Sequence, residues 1–282
     1  MPNSKAAKAY DLLAAFCCKM PLPILNSIIE NLSWVYQKLN KKNDLHVVSN
    51  LNQLSKHLNR DLSSKHLDVY KHFGWFLIEF FRAHKYPPQP LPDTIIKDTL
   101  NKMGRPGEQA NLILVGHYGN WEIALKHVLN MGYKVTTIAM KHSDCEVDAF
   151  FSKMRHHPNL TVRYLEDGFK YCIKAMRNKE VVALACERDY TENGHPVSIA
   201  GAQVPFPKGP ATLIKKYKPN VFFGECIRRS LNQFDMQLVP FRHPDQEEVD
   251  EITQAIANQL FDLIYKHPEQ WITFDDFFQL NK

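Results

Sequence analysis

The sequence predicts an α/β protein with a largely parallel central sheet flanked by helices and a helical N-terminal extension. Three observations predict it. Short apolar runs of strand length alternate with helical stretches after residue 112. Residues 5–104 read as helical. A Pro-rich connector, Pro87-Pro88-Gln89-Pro90-Leu91-Pro92, is the one soft boundary between the two textures. We divide the 282 residues into a helical extension, 1–104, packed on an α/β core, 105–282.

In chain order, Ser4 is placed to cap a first helix containing Leu12, Leu13 and Phe16. After Pro23, Ile24, Leu25, Ile28, Ile29, Leu32 and Val35 recur at helical spacing. A third helix spans about 64–83, and its end, Phe73 to Phe81, is apolar almost all round, which suits burial or contact with lipid. Strands follow at 112–115, 135–139, 161–165 and 181–185, with helices between them near 121–131, 145–156 and 168–178. Two further strands, 221–227 and 234–239, flank the turn residues Ser230, Leu231 and Asn232. A long amphipathic helix after Pro244 runs from about 246 to 266.

Composition narrows the function. A formal net charge of +5 favours an anionic partner, yet no Lys/Arg tract or reading motif points to nucleic acid. The six cysteines are scattered without a C-x-x-C, which argues against a zinc ribbon and fits a reducing cytoplasm. The longest early apolar run, 12–18, is far below the ~20 residues of a membrane span. We expect no span, no metal and no cofactor.

The chemistry concentrates at 112–122. A strand ends at Val115, a Gly-flanked His117 sits on the turn, and Asn120 caps a helix opening at Trp121. Open α/β sheets place reacting groups at such strand ends. With Glu122 in the first helical turn, a carboxylate can fold back onto one imidazole nitrogen and leave the other to take a proton from a hydroxyl. The plainer alternative makes Glu122 a helix-dipole carboxylate.

His117-Tyr118-Gly119-Asn120-Trp121-Glu122 resembles the H-x-G-N-W-E form of the H-x4-D/E motif of lysophospholipid acyltransferase-like enzymes. It is most similar to the lipid A late acyltransferases and to the mycobacterial phosphatidylinositol-mannoside acyltransferases. The resemblance runs over most of the chain. It includes Asn50-Leu51, Cys186-Glu187-Arg188-Asp189, Gly209-Pro210-Ala211 after Lys208, Arg228-Arg229, and the closing run Gln270-Trp271-Ile272-Thr273-Phe274-Asp275-Asp276-Phe277-Phe278.

The resemblance implies a glycerol-3-phosphate acyltransferase-like fold and an O-acyltransferase. His117 would be the general base and Glu122 its partner. The donor would be an acyl carrier protein or acyl-CoA thioester, and the acceptor a lipid A-type or other (glyco)lipid. The protein would act at a membrane surface, at the cytoplasmic face of the inner membrane, or in the cytoplasm. Substrate-binding candidates are Asn120, Glu187, Arg188, Asp189, Lys208, Gly209 and Arg228. Arg188 is read as a phosphate ligand or as half of a structural pair with Asp189, and Glu187 as a second carboxylate near the imidazole. Lys208 and Gly209 open a helix whose N–H groups can receive an anion or simply make a turn. Arg228 and Arg229 are read as a solvated basic pair or with one facing the cleft and the other out. Backbone N–H groups near Gly119 are candidates for the oxyanion site. The chain departs from the late acyltransferases in its Ser198-Ile199-Ala200-Gly201 segment and in Asp275-Asp276 near its end. Two other readings stay open: transfer of an aminoacyl or aryl-polyene chain, and a non-catalytic acyl-carrier-binding protein.

Overall fold

A computed structural model describes residues 4–241 and 248–279. Five helices come first: α1 (Lys5–Lys19), α2 (Leu22–Leu39), α3 (Lys41–Leu58), α4 (His66–Arg82) and α5 (Asp93–Met103). The Ser4 hydroxyl caps α1 by accepting the Ala7 N–H. α3 and α5 fall within the stretch that reads as helical, but the sequence pattern does not place them as separate helices. Only Val47, Asn50, Leu51 and Leu54 of α3 are buried, and polar neighbours such as Asn43, Asn52 and Gln53 dilute the apolar signal.

The core alternates as expected. β1 (Asn111–Val115), α6 (Trp121–Asn130), β2 (Val135–Ala139), α7 (Cys145–Arg155), β3 (Leu160–Tyr164), α8 (Leu165–Arg177) and β4 (Val181–Ala185) follow one another. Then come β5 (His195–Ile199), β6 (Ala202–Phe206), α9 (Gly209–Tyr217), β7 (Asn220–Ser230), β8 (Gln233–Pro240) and α10 (Val249–Lys266). The expected start of the last helix at 246 lies outside the described residues. α10 itself opens on a capping box between Glu248 and Glu251.

The β5–β6 hairpin is absent from the sequence expectation, because Pro196 and Pro205 interrupt its strand pattern. Its turn residues Ala200 and Gly201 both take positive φ, 51° and 77°, the conformation that a two-residue hairpin needs.

The main sheet has the order β3-β2-β4-β1-β7-β8, with β8 alone antiparallel. Its central strands read as unbroken apolar runs because both faces are covered. Leu112, Leu114, Val182, Leu184 and Phe223 face the larger core, which includes residues of α3, α8, α9 and α10. Ile113, Val135, Val181, Phe222 and Leu238 face α5 and α6. Among the described residues no helix is long and apolar enough to cross a membrane.

Candidate active site

Three small elements build the turn after β1. Gly116 lacks a side chain where one would meet Leu260 of α10, its Cβ falling 2.7 Å from Cδ1. Gly119 takes φ +63°, and a Cβ there would lie 2.0 Å from the Cys226 carbonyl oxygen, so only glycine fits. Asn120, fully buried, accepts the Ile123 N–H and starts α6. His117 stands between them at the strand end, and its side chain keeps 31% of its exposure.

The carboxylate at His117 belongs to Glu187. Glu187 Oε1 accepts from Nδ1 at 2.6 Å and from the His117 backbone N–H at 2.7 Å. Topology puts it there. β1 and β4 are parallel neighbours paired Val115↔Ala185, so the residues two beyond each strand end come side by side. Glu187 is 1% exposed, and its other oxygen is buried without a hydrogen-bond partner. Burial pushes the carboxyl up, but the His117 charge and both His117 donors, with Arg188 nearby, overcome this and hold it below the usual carboxylate range. A carboxylate only accepts, so Nδ1 carries the proton and Nε2 is left as the basic nitrogen.

Glu122 corrects the sequence reading. Its carboxylate is buried and turned to Arg155 of α7, with 2.8 Å contacts from Nε and Nη2. One turn of helix carries it away from the imidazole. Glu122 ties α6 to α7 and does not bond His117.

Arg228 and Asn120 are corrected as well. Arg228 has a fully buried side chain that donates to Glu79 of α4 from Nε (2.9 Å) and Nη2 (2.6 Å), and contacts His72 Nδ1 from Nη1 (3.0 Å). Asn120 Nδ2 donates to the same Glu79 at 2.6 Å. Neither side chain is free to hold a substrate. Arg229 is exposed and pairs with Asp235. Glu79, the one acid of the aromatic run from Phe73 to Phe81, was missed from the sequence. That pattern was its signal, since a carboxylate on a buried face needs a cation.

The closing run of the chain is part of the site. Ile272 N–H donates to the His117 carbonyl and Gly119 N–H to the Gln270 carbonyl. The Gln270 side chain bonds both the N–H and the carbonyl of Arg228. Asn50 holds the same run from α3, donating to the Asp275 carbonyl and accepting the Phe277 N–H. The Gly119 N–H and the Asn120 N–H, the latter bonded to the Cys226 carbonyl, are therefore committed and not open as oxyanion donors.

Arg188 adjoins the dyad and reaches Asp275 (2.7 Å) and the Thr273 hydroxyl (2.6 Å). Asp189 spends its carboxylate inside its own loop, on Thr191 and Gly194. Lys208 pairs at 3.5 Å with Asp250 of α10, and Gly209 packs against Phe169 of α8. No contact brings Asp189, Lys208 or Gly209 to His117 among the described residues.

An apolar groove opens beside the histidine. The Trp121 ring lies edge-on to the imidazole, with centroids 4.9 Å apart, and stacks on Phe76 of α4 at 4.4 Å. From Trp121 the groove runs under α6, past Ala124, Leu125, Val128 and Met131, over a floor that includes Val115, Ala183 and Gly224. Gly224 keeps the floor low, because a Cβ there would already sit 3.0 Å from Ile113 Cγ2 and 3.2 Å from Val115 Cγ1.

Fold and site together define a class: a parallel-sheet α/β protein with a carboxylate-backed histidine at a strand end, beside an apolar groove. Residues 7–279 match the family described as bacterial lipid A biosynthesis acyltransferase, and the chain belongs to it. It is 27% identical over 164 residues to a phosphatidylinositol mannoside acyltransferase of Mycobacterium tuberculosis (strain CDC 1551 / Oshkosh), covering 57% of this chain and 52% of that protein. It is 24% identical over 221 residues to the protein so named in Mycolicibacterium smegmatis, covering 66% of this chain and 72% of that one. The chain thus spans about half the length of the Mycobacterium tuberculosis relative.

Proposed function

We propose that this protein is an O-acyltransferase that moves an acyl group from a thioester, on acyl carrier protein or coenzyme A, to a hydroxyl of a glycolipid or related lipid at a membrane surface. The observation that carries the reading is the Nδ1 contact of His117 with buried Glu187, which leaves Nε2 as the basic nitrogen next to Trp121 at the end of the groove.

In this reading Nε2 takes the proton of the acceptor hydroxyl as its oxygen attacks the thioester carbonyl. The imidazolium that forms is stabilised by the Glu187 charge already in place. The carbon–sulfur bond then breaks, and the proton on Nε2 passes to the leaving thiolate, which restores the base. Arg188 follows Glu187 directly, and a donor or acceptor phosphate would meet it by displacing the exposed Asp275 carboxylate from Nη1. The groove takes the acyl chain. α6 spans ten residues, about 15 Å at 1.5 Å per residue, the extended length of an acyl chain of roughly a dozen carbons.

The test is to incubate the protein with acyl-carrier or acyl-CoA thioesters and a bacterial glycolipid extract, and to follow acylated lipids by mass spectrometry beside His117→Ala. A lipid mass increased by one acyl group with the parent and absent with the variant is the expected result. Thioester bound but never consumed would instead make the chain a carrier-binding protein.

A further inference from the structure

We propose that α2 is a membrane-docking helix that lies in the plane of an anionic bilayer. The inference deepens the acyl-transfer reading, on which it rests for the lipid nature of the acceptor.

Helix α2 is turned inside out. It buries Leu25 together with the polar Ser33 and Gln37. Ile24, Ile28, Leu32, Val35 and Leu39 recur at i, i+4, i+8, i+11 and i+15, which is one continuous stripe on an α-helix. That stripe faces outward. Ile24 is 48% exposed, Leu32 54% and Leu39 80%, with Trp34 at 55% on its flank. A helix covered only by water would present the opposite face. The preceding helix repeats the feature, with Leu12, Leu13 and Phe16 exposed.

The charges beside the stripe select the occupant. Lys19 precedes α2, Lys38 lies in its last turn, and Lys41 and Lys42 follow it; all four are exposed and none forms an ion pair among the described residues. Between 19 and 42 the single acid is Glu30, which pairs with Lys71 of α4. Unpaired lysines beside exposed apolar side chains and a tryptophan are what an anionic lipid surface recognises: the apolar groups enter the acyl boundary and the ammonium groups meet headgroup phosphates. Eighteen residues give a helix of about 27 Å, so it can bury the stripe lengthwise. The docked face connects to the site through α4, because Ile29 of α2 packs on Gly74 and Phe76 stacks on Trp121 beside His117.

The test is flotation of the full chain with phosphatidylcholine vesicles, with and without phosphatidylglycerol. The parent floats with the anionic vesicles. Leu32→Ser/Val35→Ser/Leu39→Ser lowers the bound fraction about tenfold or more, and Lys38→Glu/Lys41→Glu/Lys42→Glu removes the preference for phosphatidylglycerol. Circular dichroism checks folding; these side chains are exposed, so both variants retain the parent's melting behaviour. Equal recovery of parent and serine variant with vesicles overturns the proposal. So does a parent dimer that the serine variant converts to monomer, which assigns the stripe to a second copy of the chain. Hydrolysis of a soluble thioester, read in parallel with His117→Ala, separates the two claims: docking without turnover sinks the catalytic reading, and turnover without docking sinks this one.

Discussion

One oxygen of Glu187 accepts both the Nδ1–H and the backbone N–H of His117, at 2.6 and 2.7 Å. The pair fixes the imidazole's tautomer and the turn's conformation together. Replacing Glu187 by Gln removes the charge while keeping the shape. In the proposed reaction the imidazolium then loses its counter-charge, and kcat falls about 10²–10⁴-fold. Glu122→Gln has a different signature: it leaves Arg155 unpaired, costs about 1–3 kcal/mol of stability, and changes kcat far less. Steady-state kinetics and urea melts of the two variants check both halves.

The dyad was half legible in the sequence. His117, its flanking glycines and the Asn120 cap all follow from local pattern. The partner was legible only as a second carboxylate near the imidazole, because H-x4-E proximity along the chain favours Glu122 while the sheet delivers Glu187. The signal was present as equal offsets: each residue stands two beyond its strand end, and parallel neighbours in register make such residues meet. Asn120, Arg228 and Glu79 were illegible as a group, since Glu79 is 149 residues from Arg228 in sequence. α3 and the β5–β6 hairpin escaped for local reasons, diluted apolar spacing in one and strand prolines in the other.

The Glu79–Arg228 pair is predicted to hold the turn that carries His117. Both side chains are buried, and Glu79 also anchors Asn120 and the Asn232 N–H. Glu79→Gln is expected to destabilise the fold by about 3–5 kcal/mol, because it leaves a buried guanidinium without its counter-charge. Arg228→Lys does not rescue the fork geometry. Urea denaturation reads the loss.

Residues along α6 are predicted to set the acyl chain length. Val128 and Met131 line the groove, seven and ten residues along the chain from Trp121. Val128→Phe shifts the preferred thioester to a shorter chain, and Met131→Ala shifts it to a longer one. Competition among thioesters of graded length, scored by mass spectrometry, shows the shift as a changed ratio of products.

Stability is predicted to fall with acidity because of His72. Burial and the adjacent Arg228 charge push its imidazole down from 6.5 to about 3. Between those values the unfolded chain binds a proton that the folded one refuses, so stability drops as pH falls from 6.5 toward 3 and is unaffected by this group above 6.5. Urea midpoints taken from pH 7 to pH 4.5 show the slope. His72→Phe flattens it, whatever it does to the stability at pH 7.

The proposed chemistry depends on which carboxylate holds His117. The direct measurement is the ¹⁵N-resolved NMR spectrum of the imidazole in the parent, Glu187→Gln and Glu122→Gln proteins. We predict a protonated Nδ1 with a strongly downfield proton and an unprotonated Nε2 in the parent, a signal that Glu122→Gln preserves and Glu187→Gln moves upfield or loses. A downfield proton that survives Glu187→Gln and disappears in Glu122→Gln would contradict the account and return the partner role to Glu122.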